Sequence, residues 1–138
     1  MEIKITKKLL RSYRKLKREI PLLEQELEYM KQGDNGFGNS VILDYRTGEP
    51  RPQSVVGFDQ KKYDRRDADL EKKKAKVKAV EDWIQAIEDG QTRVVFKMYY
   101  IDGMTWERIA AKIGYAGNPD YPRLHIRDRY LKEQGAVR

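Results

Sequence analysis

The sequence predicts an all-α protein in which a long antiparallel helical hairpin, coiled-coil-like over residues 1–90, precedes a three-helix, helix-turn-helix domain over residues 91–138. Three observations lead there. Two highly charged stretches repeat apolar residues at alternating gaps of three and four, the spacing that places them on one helical stripe. Between them lies a segment rich in glycine and proline. After them, Thr105 to Leu131 has the spacing of a short supporting helix followed by a second helix suited to reading DNA.

The first stripe is Leu9, Tyr13, Leu16, Ile20, Leu23, Leu27 and Met30. Pro21 falls inside it and costs on the order of 3 kcal/mol in a helix interior, so a kinked single helix is expected, ending at Gln32 and Gly33. The cluster Lys7, Lys8, Arg11, Arg14, Lys15, Lys17 and Arg18 reads first as a solvated face and second as a phosphate-contacting one. Residues 33–58 hold five of the ten glycines and two of the five prolines, so an irregular connector is expected there, either a small ordered tip with short strands at VILDY and SVVGF or a flexible linker, with partial order favoured. A second helix from Asp59 to Asp89, closed by Gly90, repeats the stripe with Leu70, Val77, Val80, Ile84 and Ile87. Lys73 or Lys74 occupies the place of one missing apolar residue. Neither helix can bury its stripe alone, so the two should pair antiparallel. The interrupted second seam leaves two readings: the lysines snorkel to water with their stems along it and the hairpin stays monomeric, or, as favoured, a homodimer forms in which Leu16, Ile20, Leu23 and Leu27 meet a second copy.

Thr92 to Ile101 reads as a third helix whose Val95, Phe96, Met98 and Tyr99 form an apolar surface, ended by the Asp102-Gly103 turn. Trp106 should cover the junction that follows. Thr105 is the N-cap of the supporting helix, Glu107 suits its first turn, and Gly114 ends it. Ile109 and Ile113 share its apolar face, and Ala110 permits a close crossing. Asn118 and Pro119 then read as the start of the second helix, after an extended turn at Tyr115 to Asn118. A 3.6-residue period places Tyr121, Leu124, Asp128 and Leu131 inward, which Asp128 tolerates only with a basic partner. Pro122, Arg123, Ile126 and Arg129 then face outward, flanked by His125, Arg127 and Tyr130. Arginine can pair with guanine edges and apolar groups can touch thymine methyls in the major groove. The candidate DNA contacts are therefore Asn118, Tyr121, Arg123, His125, Ile126, Arg127 and Arg129, with Arg108 and Lys112 on the supporting helix.

The string RVVFKMYYIDGMTWERIAAKIGY, after a charged first helix and a long charged second one, resembles phage-encoded late transcriptional regulators of the RinA and ArpU-like group. The last third is also similar to the DNA-binding region 4 of sigma-70-type factors. The residues carrying the resemblance are Tyr100, Gly103, Thr105, Trp106, Ile109, Ala110, Arg123, Leu124, His125 and Arg127. It is specific over residues 92–131 and loose elsewhere, and the sequence departs from the pattern in GYAGNPDYP and at Asp128. What the resemblance implies is a phage or prophage late-gene activator that acts at a promoter and contacts host RNA polymerase.

Composition agrees with a DNA partner. Of 138 residues, 39% are hydrophobic and 37% charged, with a net charge of +7; mean hydropathy is −0.87 and the isoelectric point near 9.5. Such a balance suits solvated helices and a polyanionic ligand. The positive surplus sits at the two ends of the chain, before residue 33 and after residue 89. With no cysteine, one histidine and no Gly-x-x-x-x-Gly-Lys loop, the familiar nucleophile, metal and phosphate-cradle arrangements are missing, so an enzyme, a cofactor and a small-molecule substrate are not expected. Glu81-Asp82 and Glu88-Asp89 diverge around a helix and do not converge on an ion. Without a long apolar run or secretory segment, a cytoplasmic protein that spans no membrane is expected. Two other functions suit a basic helix-turn-helix joined to a hairpin: a small-terminase-like DNA-packaging subunit, and a non-enzymatic protein-interaction module.

Overall fold

The computed structural model describes residues 3–35 and 59–135, and every regular element among them is helical. The expected tip at 33–58 falls outside these residues, apart from the last turn of the first helix. The chain forms two compact units, residues 18–73 and residues 1–17 with 74–138. Both long helices, α1 (Lys7–Asn35) and α2 (Gln60–Gln85), contribute to each.

In the unit of residues 18–73, Ile20, Leu23 and Met30 are half-buried while Leu27 and Leu70 are buried, as their stripe spacing requires. Arg66 pairs with Glu26 at 2.7 Å and Lys73 with Glu19 at 3.5 Å. Numbers rise along one helix as they fall along the other, so the pair is antiparallel. Lys73 stands in the gap of the second seam; it is half-buried and its ammonium also reaches Asp69 at 3.4 Å. Of the stripe expected to receive a second copy, Ile20 and Leu23 are half-buried and Leu27 is buried within this unit, while Leu22 and Tyr29 of α1 are exposed. Pro21 is exposed within an uninterrupted α1, which continues past the expected end at Gly33 to Asn35.

In the other unit, Thr6 starts α1 by accepting the Leu9 N–H at 3.1 Å. Leu10, Tyr13, Val77, Val80, Ile84 and Ile87 are buried. At the edge of this seam the Tyr13 hydroxyl and the Lys17 ammonium both donate to Glu81 Oε2, the latter at 3.0 Å. Burial raises the Glu81 pKa, but the two donated hydrogen bonds outweigh it and hold the carboxyl below its ordinary value. Burial, and then the Glu81 carboxylate, push the Tyr13 hydroxyl well above its own. Because the Glu81 pKa is lowered by folding, its stabilising effect is full above the ordinary carboxylate value and is lost as pH falls through the folded one. Tyr13 is raised, so its share persists below the ordinary phenol value and is lost in stronger alkali. The stability gap between the wild type and Glu81→Gln is therefore expected to close on acidification below the ordinary carboxylate range, as followed by urea unfolding at a series of pH values. A gap independent of pH would show that Glu81 is not held ionised by these donors.

α2 ends at Gln85 and not at Asp89, because Asp89 is the N-cap of α3 (Gly90–Phe96). Its carboxylate accepts the Thr92 N–H at 2.9 Å and the Thr92 hydroxyl at 2.7 Å, which lowers its pKa. α3 continues as a π-helical turn over Lys97–Ile101, closed by a hydrogen bond from Asp102 N–H to the Lys97 carbonyl at 2.9 Å. Phe96 is fully buried among the rings of Trp83, Tyr100 and Tyr130 at centroid distances of 5.6, 5.7 and 5.4 Å. Trp83 belongs to α2, so this cluster ties the last turns of the hairpin to the C-terminal helices. That is why no division falls at the expected boundary between residues 90 and 91. Gly103 follows at φ +70°, with the Arg14 guanidinium of α1 lying where a Cβ would be.

Candidate nucleic-acid interface

The supporting helix forms as its sequence dictates. α4 (Trp106–Lys112) is capped by Thr105, whose hydroxyl accepts the Arg108 N–H at 3.3 Å, and Glu107 lies in its first turn. It ends in a Schellman arrangement: Tyr115 N–H donates to the Ala110 carbonyl at 2.7 Å and Gly114 N–H to Ala111 at 3.4 Å, with Gly114 at φ +94°. Ile109 and Ala110 are fully buried. A second turn follows at once, closed by Asn118 N–H to the Tyr115 carbonyl at 2.9 Å with Gly117 at φ +87° in its third position. Two left-handed glycines in four residues thus build the extended turn.

The next helix begins at Asp120 and Tyr121, later than the expected start at Asn118 and Pro119, with the Asn118 carbonyl accepting the Tyr121 N–H at 3.2 Å. It is π-helical over Tyr121–Asp128 and passes into α5 (Arg129–Glu133). The wider turn changes which residues point inward. Pro122, Ile126 and Leu131 are buried, at gaps of four and five, while Leu124 is 41% exposed. The expected outward positions of Pro122 and Ile126 and the inward position of Leu124 are thus reversed. Ile126 joins Val95, Met98 and Ile109 in one apolar cluster against which Trp106, Tyr99, Met104, Ile113 and Tyr121 pack. Trp106 covers the junction as its position suggests.

Arg127 is also turned inward. Its side chain is only 14% exposed, its guanidinium carbon lies 5.0 Å from the Trp106 ring centroid and 5.4 Å from that of Tyr99, and its Nε donates to Asp128 at 2.8 Å. The two rings are themselves stacked at 4.0 Å. A guanidinium carries its charge into such a site because the aromatic faces and a carboxylate replace part of its hydration. This pairing also accounts for Asp128, whose inward placement requires a basic partner. Burial raises the pKa of the neighbouring Tyr100 hydroxyl, opposed by the Arg127 charge, yet no side chain among the described residues reaches it in hydrogen-bonding geometry.

Asn118, His125 and Arg129 are exposed, as are Arg108 and Lys112 of α4, whereas Tyr121 and Arg123 are half-buried. The cations differ in what holds them. Arg123 pairs with Asp120 at 2.7 Å and Arg129 with Glu133 at 3.3 Å, but Arg108 and Lys112 form no ion pair among the described residues. The segment after α4 also carries a series of rings: Tyr115 and Tyr121 stack at 3.9 Å with an interplanar angle of 13°, and His125 follows at 5.3 Å. Tyr115 and Leu124 do not stand out in the sequence as surface residues. Their positions depend on the glycine turn and on the π-helical phase, neither of which a 3.6-residue period carries. Among the described residues no group of His, Asp or Glu is gathered as metal ligands would be, and no helix is long and apolar enough to cross a membrane.

Comparison with known proteins finds no family model, curated protein or solved structure that matches the chain.

Proposed function

We propose that the protein is a sequence-specific, double-stranded-DNA-binding transcriptional regulator with no catalytic activity of its own. The observation that carries this reading is a helix-turn-helix pair, α4 and the π-helical segment after it, locked by the Val95, Met98, Ile109 and Ile126 cluster. On α4 stand two cations, Arg108 and Lys112, that form no ion pair among the described residues. Phosphate contacts come from such free cations, while Asn118, Arg123, His125, Leu124 and Arg129 present polar and apolar groups of the kind that read base edges. A role in phage late-gene activation with host RNA polymerase as partner rests on the sequence resemblance alone. Cytoplasmic location belongs to the same reading. A homodimer on two half-sites would draw on the half-buried Leu16, Ile20 and Leu23 of α1, with Leu22 and Tyr29 exposed on the same helix.

The test is selection from a random DNA duplex library followed by binding over a salt series. An enriched motif is expected. Arg108→Gln with Lys112→Gln should lower the slope of log affinity against log salt by about 0.9 for each phosphate no longer neutralised, without lowering the melting temperature. No enriched sequence would end the sequence-specific reading. A closed ring of many subunits in light scattering would replace it with DNA packaging.

A further inference from the structure

We infer that the first half of α1 is a second DNA-contacting surface, a phosphate grip formed by Lys8, Arg11 and Lys15; this rests on the DNA-binding reading above and extends it beyond the helix-turn-helix. Between Ile3 and Lys17 the chain carries seven basic residues and no acidic one. Lys8, Arg11 and Lys15 recur at gaps of three and four, share one face of the helix, and are all exposed.

No carboxylate alternates with the cations along this stretch. Several basic side chains elsewhere have a carboxylate: Lys17 with Glu81, Arg66 with Glu26, Lys73 with Glu19, Lys78 with Asp82, Lys97 with Asp102, Arg129 with Glu133. Lys8, Arg11 and Lys15 form no ion pair among the described residues. Their placement works against the helix that bears them, because like charges at such spacing repel and cations near a helix N-terminus oppose its dipole. An anionic partner along the face relieves both penalties.

The partner's dimensions fit a nucleic-acid strand. Lys8 to Lys15 spans seven residues, about 10 Å along a helix, which matches the axial rise of about three successive phosphates on one strand. The surface is also joined to the helix-turn-helix. Arg14, three residues beyond Arg11, lies against Gly103 in the turn that leads into α4, where Arg108 and Lys112 reside. A duplex held by α4 therefore has the basic face of α1 on the same compact unit.

The experiment compares Lys8→Gln/Arg11→Gln/Lys15→Gln with a control of equal charge loss, Lys61→Gln/Lys62→Gln/Lys72→Gln, in the full chain. Affinity for a mixed-sequence DNA duplex of about three helical turns is measured by fluorescence anisotropy across a salt series, and phosphatidylserine-containing vesicles serve as a second anionic probe. The α1 variant should lose about 0.9 of salt slope for each phosphate it releases, close to three in all, and bind at least tenfold more weakly at low salt. The control should keep a slope near the wild type's, and circular dichroism should show equal helicity in all three proteins. A wild-type slope in the α1 variant, with the wild type binding the duplex, overturns the grip and leaves the helix-turn-helix reading standing. Loss of vesicle binding with DNA binding intact overturns it in favour of a membrane-facing role. No DNA binding by the wild type overturns both.

Discussion

Phe96→Ala is expected to remove about 3 to 5 kcal/mol of stability, the range for truncating a fully buried aromatic. Domains of this size are commonly stable by only about 5 to 15 kcal/mol. The loss should sit near the top of the truncation range, because Phe96 contacts three rings drawn from different parts of the chain: Trp83 from α2, Tyr100 from the π-helical turn and Tyr130 from α5. A cavity there cannot be filled by moving one neighbour. Urea unfolding followed by circular dichroism measures the effect. A midpoint shift equivalent to less than about 1 kcal/mol, no more than a typical Ile→Val truncation, would mean that the cluster is not shared between hairpin and C-terminal helices.

Arg127→Ala should cost about 3 kcal/mol, since it strips a largely buried cation from two stacked aromatic faces and leaves Asp128 without its partner. Arg127→Lys should recover little, because an ammonium has no planar face to lay against the rings while donating to a carboxylate. DNA affinity is expected to fall along with the melting temperature and to return when the protein is assayed well below it. A base-contacting arginine behaves in the opposite way, losing affinity at an unchanged melting temperature. That outcome would return Arg127 to the surface role its sequence position suggests.

What the sequence discloses is what repeats locally. The stripes from Leu9 to Met30 and from Leu70 to Ile87 are buried or half-buried throughout, because a 3.6-residue period and antiparallel pairing determine them directly. The Thr105 cap and the Gly114 terminus are equally legible, each being a single residue type meeting a single backbone need. The face of the last helix is not. A π-helical stretch shifts each later side chain, so Ile126, outward by a regular period, is buried, and Leu124, inward by the same period, is exposed. Arg127 is hidden for a different reason: its site is made by Tyr99 and Trp106, 28 and 21 positions earlier in the chain, and burial of a charge depends on such distant neighbours. Asp89 reads as the end of α2 yet starts α3, a choice that rests on which backbone N–H its carboxylate meets.

The ion pairs Arg123–Asp120 and Arg129–Glu133 have a consequence for how tightly the protein would hold DNA it is not meant to hold. Each carboxylate is an internal competitor for the phosphates. A cation already neutralised has few counterions to release, so transfer to an arbitrary phosphate gains little, while transfer to a guanine edge that accepts two hydrogen bonds still gains. If the protein binds DNA as proposed, the pairs would act as a filter on partner choice, subtracting more from indiscriminate binding than from binding at the right site. On a genome with a vast excess of wrong sites, discrimination matters more than strength, and on that proposal Asp120 and Glu133 would raise it without touching DNA.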